Sequence, residues 1–414
     1  MDSVIADELG SVVAEGELTG AVTILWQDGR VVDASTVGWQ DAVGGEAMRR
    51  DTLFRIASMT KPITSTVALM LHEEGRFALD DPITQWAPEM TNLRVLQGGT
   101  GSPADAVAAR RDITFGDLLT HRSGITYAEF QHGTFAEDYA AALGRHIDNE
   151  LTPDEWVERL GGLPLVDQPG SNFHYGHSTD LLGFLVARME DAPLADVFDR
   201  RLLDALGMTD TGFTLTAEQE TRRAADHGFD DDGHPVVLDE VPNGHALARR
   251  PPGLTWVSGG QGLWSTADDF LTFARMFVGD GAVDGVRLLR PDTLALMTSN
   301  HLTEHQRAMA EMLGRHLFST GHGYGLGVAV VTDPERADPT VCGGGVGAVG
   351  WPGAYGSWWQ ADPDDRSVMV LLTHNMVTLD QLSQGVGFGA WDAITRFQSV
   401  GSAMLAAQGG QGGS

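Results

Sequence analysis

Apolar residues recur at helical spacing over residues 3–16 and predict a helix with one polar face. The period then changes. In GAVTILWQDGRVVDASTVG, β-branched residues alternate on both sides of Asp28-Gly29, which predicts a two-stranded hairpin. Helical spacing returns after DTLFRIAS, in TKPITSTVALMLHEEGRF, where Ile63, Val67, Leu69, Met70 and Leu71 predict a buried face. Residues 76–300 carry further helical patterns, ITFGDLLTHRSG, TDLLGFLVARMED and STADDFLTFARMFVGDG, punctuated by Gly and Pro. Strand patterns reappear in GYGLGVAVVTD and in GSWWQADPDDRSVMVLLTHN, with DPDD as a hairpin turn. The stretch 384–407 predicts a closing helix, and GGQGGS a loose tail.

Strands at both ends around a helical middle predict an α/β (α+β) fold. Its antiparallel sheet, flanked by helices, is built from residues 1–75 and 301–407; residues 76–300 form an inserted, mainly helical lobe, and 408–414 a flexible tail. No internal repeat is visible.

Composition narrows the function classes. With 42% hydrophobic and 20% charged residues, the chain reads as an ordinary soluble globular protein. It has no apolar run near the roughly 20 residues of a membrane span. MDSVIADELGSVVAEGELTG has neither a basic nor an apolar leader region, so a cytoplasmic protein is expected. The one cysteine, Cys342, rules out an internal disulfide, fits a reducing compartment and reads as a small packed residue. A formal net charge of −30 argues against nucleic acid and anionic membranes as partners. Of the 27 basic residues only Lys61 is lysine; salt adaptation and an Arg-favouring genome explain this equally well.

That single lysine follows Ser58 by three residues, at the head of the predicted helix. Positions i and i+3 share a helix face, so the two side chains can meet. A serine hydroxyl attacks a carbonyl only when a base takes its proton, and lysine is such a base only when held neutral. Burial favours the neutral amine, as does the positive end of a helix. Pro62, tolerated only in a first turn, puts that end near Ser58 and aims free backbone N–H groups at an attacked carbonyl.

S-x-x-K after TLFRIAS resembles the serine β-lactamase/penicillin-binding-protein superfamily, and most closely its class C-like branch, the family VIII carboxylesterases. ITFGDLLTHRSGI (113–125), the segments 180–213 and 258–277, and GWPGAYGSWWQADPDDRSVMVLLTHN (350–375) follow in that family's order, so the resemblance runs from about residue 18 to 396. It implies that Ser58 is the acylated nucleophile, Lys61 its proton partner, and Tyr175 the tyrosine that carries a proton to the leaving group. An ammonium at Lys61 would bring the Tyr175 phenol into working range. His177 falls where the family has Asn, and Trp351-Pro352-Gly353 where it has K-T-G. The resemblance further implies backbone N–H groups of Ser58 and Ala354 as oxyanion donors, and His177, Trp351 and Gly353 as substrate contacts.

Trp351 brings no cation to a substrate carboxylate, and an unpaired carboxylate is costly to desolvate. The expected substrate is therefore a neutral carboxylic ester, as a small-molecule partner, with no metal or organic cofactor required. Rival readings are an acyltransferase of the same fold, a β-lactamase or D-amino-acid peptidase, and a non-catalytic ligand-binding relative. Segments 96–111 and 303–323 are candidate pocket walls. Other motifs read as structural: Ser178 in GHSTD as a helix N-cap, His301 and His305 as solvent-facing, His121 and His374 as packing residues, Trp358 and Trp359 as core and pocket wall, and GGGVG as a flexible turn.

Overall fold

Eight strands form one antiparallel sheet in a computed structural model of the chain, which describes residues 3–99, 103–131, 133–144, 147–230, 233–238, 246–247, 249–312, 315–318, 321–377, 381 and 384–409. Three strands come early, β1 (Gly20–Gln27), β2 (Arg30–Asp41) and β3 (Glu46–Ala47). Five come late: β4 (His322–Tyr324), β5 (Ala329–Val331), β6 (Val349–Gly350), β7 (Trp358–Asp362) and β8 (Ser367–Leu372). Their order across the sheet is β4-β5-β6-β7-β8-β1-β2-β3. The two chain ends meet where β1 pairs with β8, from Val22 opposite Leu372 to Gln27 opposite Ser367. Asp28 (φ 49°) and Gly29 (φ 86°) both take the left-handed conformation that a two-residue type I′ hairpin turn requires.

Four helices matter for the site and its support: α1 (Val4–Ala14), α2 (Thr60–Glu73), α3 (Ser178–Glu190) and α4 (Gly389–Gly409). Because side chains alternate along a strand, each central strand serves two cores. Val368, Val370 and Leu372 of β8 join Val22, Ile24, Ile63 and Val67 on the α2 face. Met369 and Leu371 join Leu9 and Val12 of α1 and Ala393 and Phe397 of α4 on the other. A sheet covered on both faces has strands that read as unbroken apolar runs, as SVMVLL does.

Three expectations change. The closing helix begins at Gly389 rather than 384, after Gly385 and Gly387 take positive φ (84° and 81°) that a helix cannot accommodate. It runs to Gly409, into the expected tail, whose residues 410–414 lie outside the described residues. The helical middle also contains strand pairs, 94–95 with 107–108, 227–229 with 235–237 and 282–283 with 286–287, too short to leave a period in the sequence. Trp358 and Trp359 are both fully buried and face core rather than the cavity described below.

The segment entering the site is anchored twice. Phe54–Arg55 pairs with Trp264–Ser265. The Arg55 guanidinium, 1% exposed, meets Asp148 at 2.7 Å, and Asp148 also takes Arg250 at 2.9 Å. Among the described residues, no helix is long and apolar enough to cross a membrane.

Candidate active site

From Arg55 the backbone turns sharply. Ala57 is held at φ 45°, a left-handed conformation that costs a non-glycine residue about 1–2 kcal/mol. It is followed by one turn of tight helix, Ala57–Met59, and then α2, so Ser58 stands at the mouth of a helix with Pro62 in its first turn. Lys61 is completely buried and Ser58 nearly so. The Lys61 Nζ lies 3.2 Å from Ser58 Oγ, 3.2 Å from Tyr127 Oη and 3.0 Å from the Gly260 carbonyl oxygen. Burial pushes its pKa down to about 7, against the attraction of Asp180 and Glu129. A half-neutral amine in contact with a serine hydroxyl can accept its proton.

Tyr175 donates to Ser58 Oγ at 2.7 Å and accepts from Trp351 Nε1 at 2.8 Å. Lys61 sits 4.5 Å from the centre of the Tyr175 ring, without a hydrogen bond to its oxygen among the described contacts. The expectation that an ammonium draws the Tyr175 phenol downward is therefore corrected. Burial pushes it above its ordinary value, with the Ser58 and Trp351 hydrogen bonds working the other way. Trp351 lines the cavity and also holds the Tyr175 hydroxyl. The clue to that second contact was the indole N–H itself, which needs an acceptor when buried.

His177 places Nδ1 2.8 Å from Asp180 Oδ2. The other Asp180 oxygen accepts from the Ser258 hydroxyl and, at 2.9 Å, from the Gly260 N–H. Burial opposes charge on Asp180, yet its pKa falls below the usual carboxylate value because His177, Lys61 and Ser258 outweigh that cost. Ser178 begins α3 instead of capping it; its hydroxyl lies 2.8 Å from that of Ser123. Neither Tyr127 nor Asp180 was singled out from sequence. Asp180 could have been found as the residue one helical turn beyond His177, whereas nothing local marks Tyr127.

The turn after Trp351 packs against the chain entering Ser58. Gly353 donates to the Ser357 carbonyl at 2.7 Å, and a Cβ on it would come within 2.6 Å of the Ile56 carbonyl oxygen. Ser58, Tyr175, His177, Trp351, Gly353 and Ala354 all line one cavity of about 830 Å³. Its walls are largely apolar, among them Phe130, Tyr139, Ile147, Trp156, Trp256 and Trp391. The charged groups on them are Glu129, Glu137, Asp180 and Asp338, with no Arg or Lys among the described lining residues. Of the two expected wall segments, 303–323 contributes His316 and Leu317; none of the described lining residues comes from 96–111.

The chain matches the Beta-lactamase family over residues 5–384. It belongs to that family. Among its relatives, Protein Rv1367c of Mycobacterium tuberculosis is 44% identical over 360 residues, covering 87% of this chain and 86% of that one. Esterase EstB of Burkholderia gladioli is 32% identical over 376 residues, covering 87% of each chain. Among solved structures, EstCE1, described as a hydrolase with promiscuous acyltransferase activity, superposes with a TM-score of 0.74 at 26% identity, covering 94% of this chain and 98% of that one. The family's mixed α/β fold with a large antiparallel sheet is thus the fold of this chain.

His301 bonds the Leu296 carbonyl at 2.8 Å and is half-buried, not solvent-facing; His305 is exposed. His121 packs its ring 4.8 Å from that of Tyr175, and burial keeps it neutral. His374 is buried 3.2 Å from Asp226. The GGGVG turn is held in place, Gly343 N by Gln360 Oε1 at 2.8 Å and Gly345 N by Asp362 Oδ2 at 2.6 Å. Among the described residues, no cluster of three or more His, Cys, Asp or Glu side chains is arranged to hold a metal ion.

Proposed function

We propose that the protein is a serine carboxylesterase of the family VIII type, hydrolysing neutral carboxylic esters through a Ser58 acyl-enzyme. One observation carries this reading: Ser58 Oγ is 2.7 Å from the Tyr175 hydroxyl and 3.2 Å from a wholly buried lysine amine. Neutral Lys61 takes the Ser58 proton as Oγ attacks the ester carbonyl. Tyr175, whose hydroxyl points at the same oxygen, passes a proton to the departing alcohol, and Lys61 returns to neutrality through it. Backbone N–H groups of Ser58 and Ala354 hold the oxyanion. Trp351 and Gly353 wall the position of the acyl group, and the apolar cavity accepts the rest of the ester. No metal or organic cofactor takes part, and the expected partner is a small-molecule ester rather than nucleic acid or a membrane.

Support for the ester comes from two sides. EstB is an esterase at 32% identity, and the cavity's charged groups are all acidic, which disfavours the carboxylate of a β-lactam. Acyl transfer to an alcohol is a second reading, favoured by the acyltransferase activity described for EstCE1 and by the cavity's apolar walls. It uses the same residues and differs in what meets the acyl-enzyme. The test is Ser58→Ala, which should abolish p-nitrophenyl butyrate turnover and labelling by a fluorophosphonate. Full turnover in that variant would overturn the mechanism, and nitrocefin turnover faster than ester turnover would overturn the substrate class. Product partitioning with added alcohol separates hydrolysis from transfer.

A further inference from the structure

Two N–H groups can share one oxyanion only if the backbone segments that carry them, 55–58 and 351–355, keep a fixed spacing. These segments come from opposite ends of the chain, and buried side chains join them. Ala57, left-handed and fully buried, shares a small apolar cluster with Tyr355, the residue after Ala354. The Tyr355 ring lies 4.4 Å from that of His374, and the His374 ring 6.0 Å from that of Trp264. The Arg55 guanidinium then sits 4.7 Å from the centre of the Trp264 ring. All four side chains are buried. Each end of this stack is anchored. Arg55 is held by Asp148 and pairs along the backbone with Trp264. Beyond β8, Asn375 N–H donates to the Tyr355 carbonyl at 3.0 Å, and Ser357 Oγ donates to the Thr373 carbonyl at 2.9 Å. In the middle, Asp226 lies buried 3.2 Å from the His374 imidazole. Burial keeps that ring neutral, with an N–H to offer the carboxylate.

We propose that Tyr355, His374 and Trp264 are positioning residues of the oxyanion hole: with Arg55 they form one buried stack that sets the spacing of the Ser58 and Ala354 N–H groups, and Asp226 holds His374 in that stack. The inference rests on the Ser58 acyl-enzyme and the two backbone donors proposed above. None of these five side chains is among the described residues that line the cavity, so none of them is placed to touch the substrate. The stack begins three residues before Ser58 and ends one residue after Ala354. A shift of any plate is therefore delivered to a donor and not to a cavity wall. Close-packed rings suit this task because a packed interior transmits displacement instead of absorbing it. Donors aimed at an oxyanion act mainly in the transition state, where the charge has formed. Moving one by about 1 Å can cost about 100-fold in rate. Loosening the stack should thus weaken the transition state and leave ground-state binding, which the cavity walls set, nearly as it was.

His374→Asn keeps an amide N–H for Asp226 but removes the ring between Trp264 and Tyr355, and Tyr355→Leu removes the plate beside Ala57. The probes are p-nitrophenyl butyrate and n-butylboronic acid, whose boron adds Ser58 Oγ to give a tetrahedral anion with one oxygen in the hole. Each variant should lower kcat by about tenfold or more, with KM within about threefold. The boronate Ki should rise by the same factor as kcat/KM falls. A side chain that serves folding alone would reduce the number of active sites, counted by fluorophosphonate titration, and leave both constants per site unchanged. Trp264→Phe keeps a ring in the stack and should cost about threefold or more on the same two measures; it carries the test where either excision fails to fold. Smaller changes than these, or a rise in KM that accounts for the loss, make the stack packing alone and overturn the inference. A natural enzyme that is neither labelled at Ser58 by the fluorophosphonate nor inhibited by the boronate would instead remove the acyl-enzyme, and the oxyanion hole with it.

Discussion

Replacing Lys61 with Met isolates the energetic cost of keeping the chain's one lysine uncharged. Free lysine titrates near 10.4, while burial brings Lys61 down to about 7 in the folded protein. Between those values the unfolded chain holds a proton that the folded protein has lost, so stability rises with pH across the window. The penalty is fully present below pH 7 and fades as pH approaches the unfolded value. At about 1.4 kcal/mol per pH unit, it comes to about 4 kcal/mol at pH 7, where the folded amine is half-charged, and about 2 kcal/mol at pH 9. Met carries no such term. It does abandon three polar partners, Ser58 Oγ, Tyr127 Oη and the Gly260 carbonyl, at about 1 kcal/mol each, nearly independent of pH. The two effects nearly cancel at neutral pH, so the absolute stability of the variant decides little.

The difference between the two proteins decides more, because other titrations drop out of it. Urea unfolding of natural protein and Lys61→Met at pH 7, 8 and 9 should show the variant losing about 2 kcal/mol relative to the natural protein over that range, with unchanged m-values. A difference constant to within about 0.5 kcal/mol would mean that Lys61 does not change ionisation between the two states there, and the proposed base would be lost. The same titration should appear in kinetics: kcat/KM of the natural enzyme should rise with pH to a plateau, with an apparent pKa near 7, as the amine loses its proton.

Trp351→Phe removes the N–H that meets Tyr175 at 2.8 Å and should lower kcat/KM for p-nitrophenyl butyrate about tenfold, the worth of roughly 1 kcal/mol or slightly more; a change below twofold would make that contact idle. Asp148→Asn strips the carboxylate charge from Arg55 and Arg250 and should cost about 3–5 kcal/mol in urea unfolding, as expected of a broken buried pair; a loss below about 1 kcal/mol would show that water reaches the guanidinium of Arg55. An ester whose acyl chain ends in a carboxylate should react about tenfold or more slowly than its methyl-capped counterpart, because the cavity's charged residues are all acidic, and added salt should narrow the gap. Equal rates for the two esters would locate a cation that the described lining lacks.

Much of this was legible in the residues because it is local. The I′ turn at Asp28-Gly29, the apolar strands and the meeting of Ser58 and Lys61 depend on neighbours one to four positions away. The contacts that complete the site are not local. Lys61 reaches Tyr127 across 66 positions and Gly260 across 199, and Trp351 reaches Tyr175 across 176. Periodicity carries no information about such distances. The resemblance to known enzymes supplied Tyr175 and Trp351 as positions, but not the hydrogen bond that joins them. The Tyr175 ionisation was misjudged for a related reason: proximity to a cation was inferred from motif order, whereas the depth of burial that outweighs it belongs to the packed fold.

A net charge of −30 ought to favour an ammonium everywhere in this molecule, yet its one lysine is driven toward neutrality. Screening resolves the conflict. At physiological ionic strength the field of an exposed carboxylate fades over about 8 Å, so most of the 57 acidic residues never act on Lys61. The groups that do are Asp180 and Glu129, and their attraction is smaller than the cost of burial. Asp180 is further engaged by His177, Ser258 and the Gly260 N–H, which hold its charge in place away from the amine. A carboxylate arranged in this way can orient His177 and brace the Gly260 carbonyl against Lys61 without handing the lysine a full counter-ion. Asp180→Asn should therefore move Lys61 further toward neutrality and shift the rising limb of kcat/KM to lower pH. A shift to higher pH would show that Asp180 acts on Lys61 through geometry rather than charge.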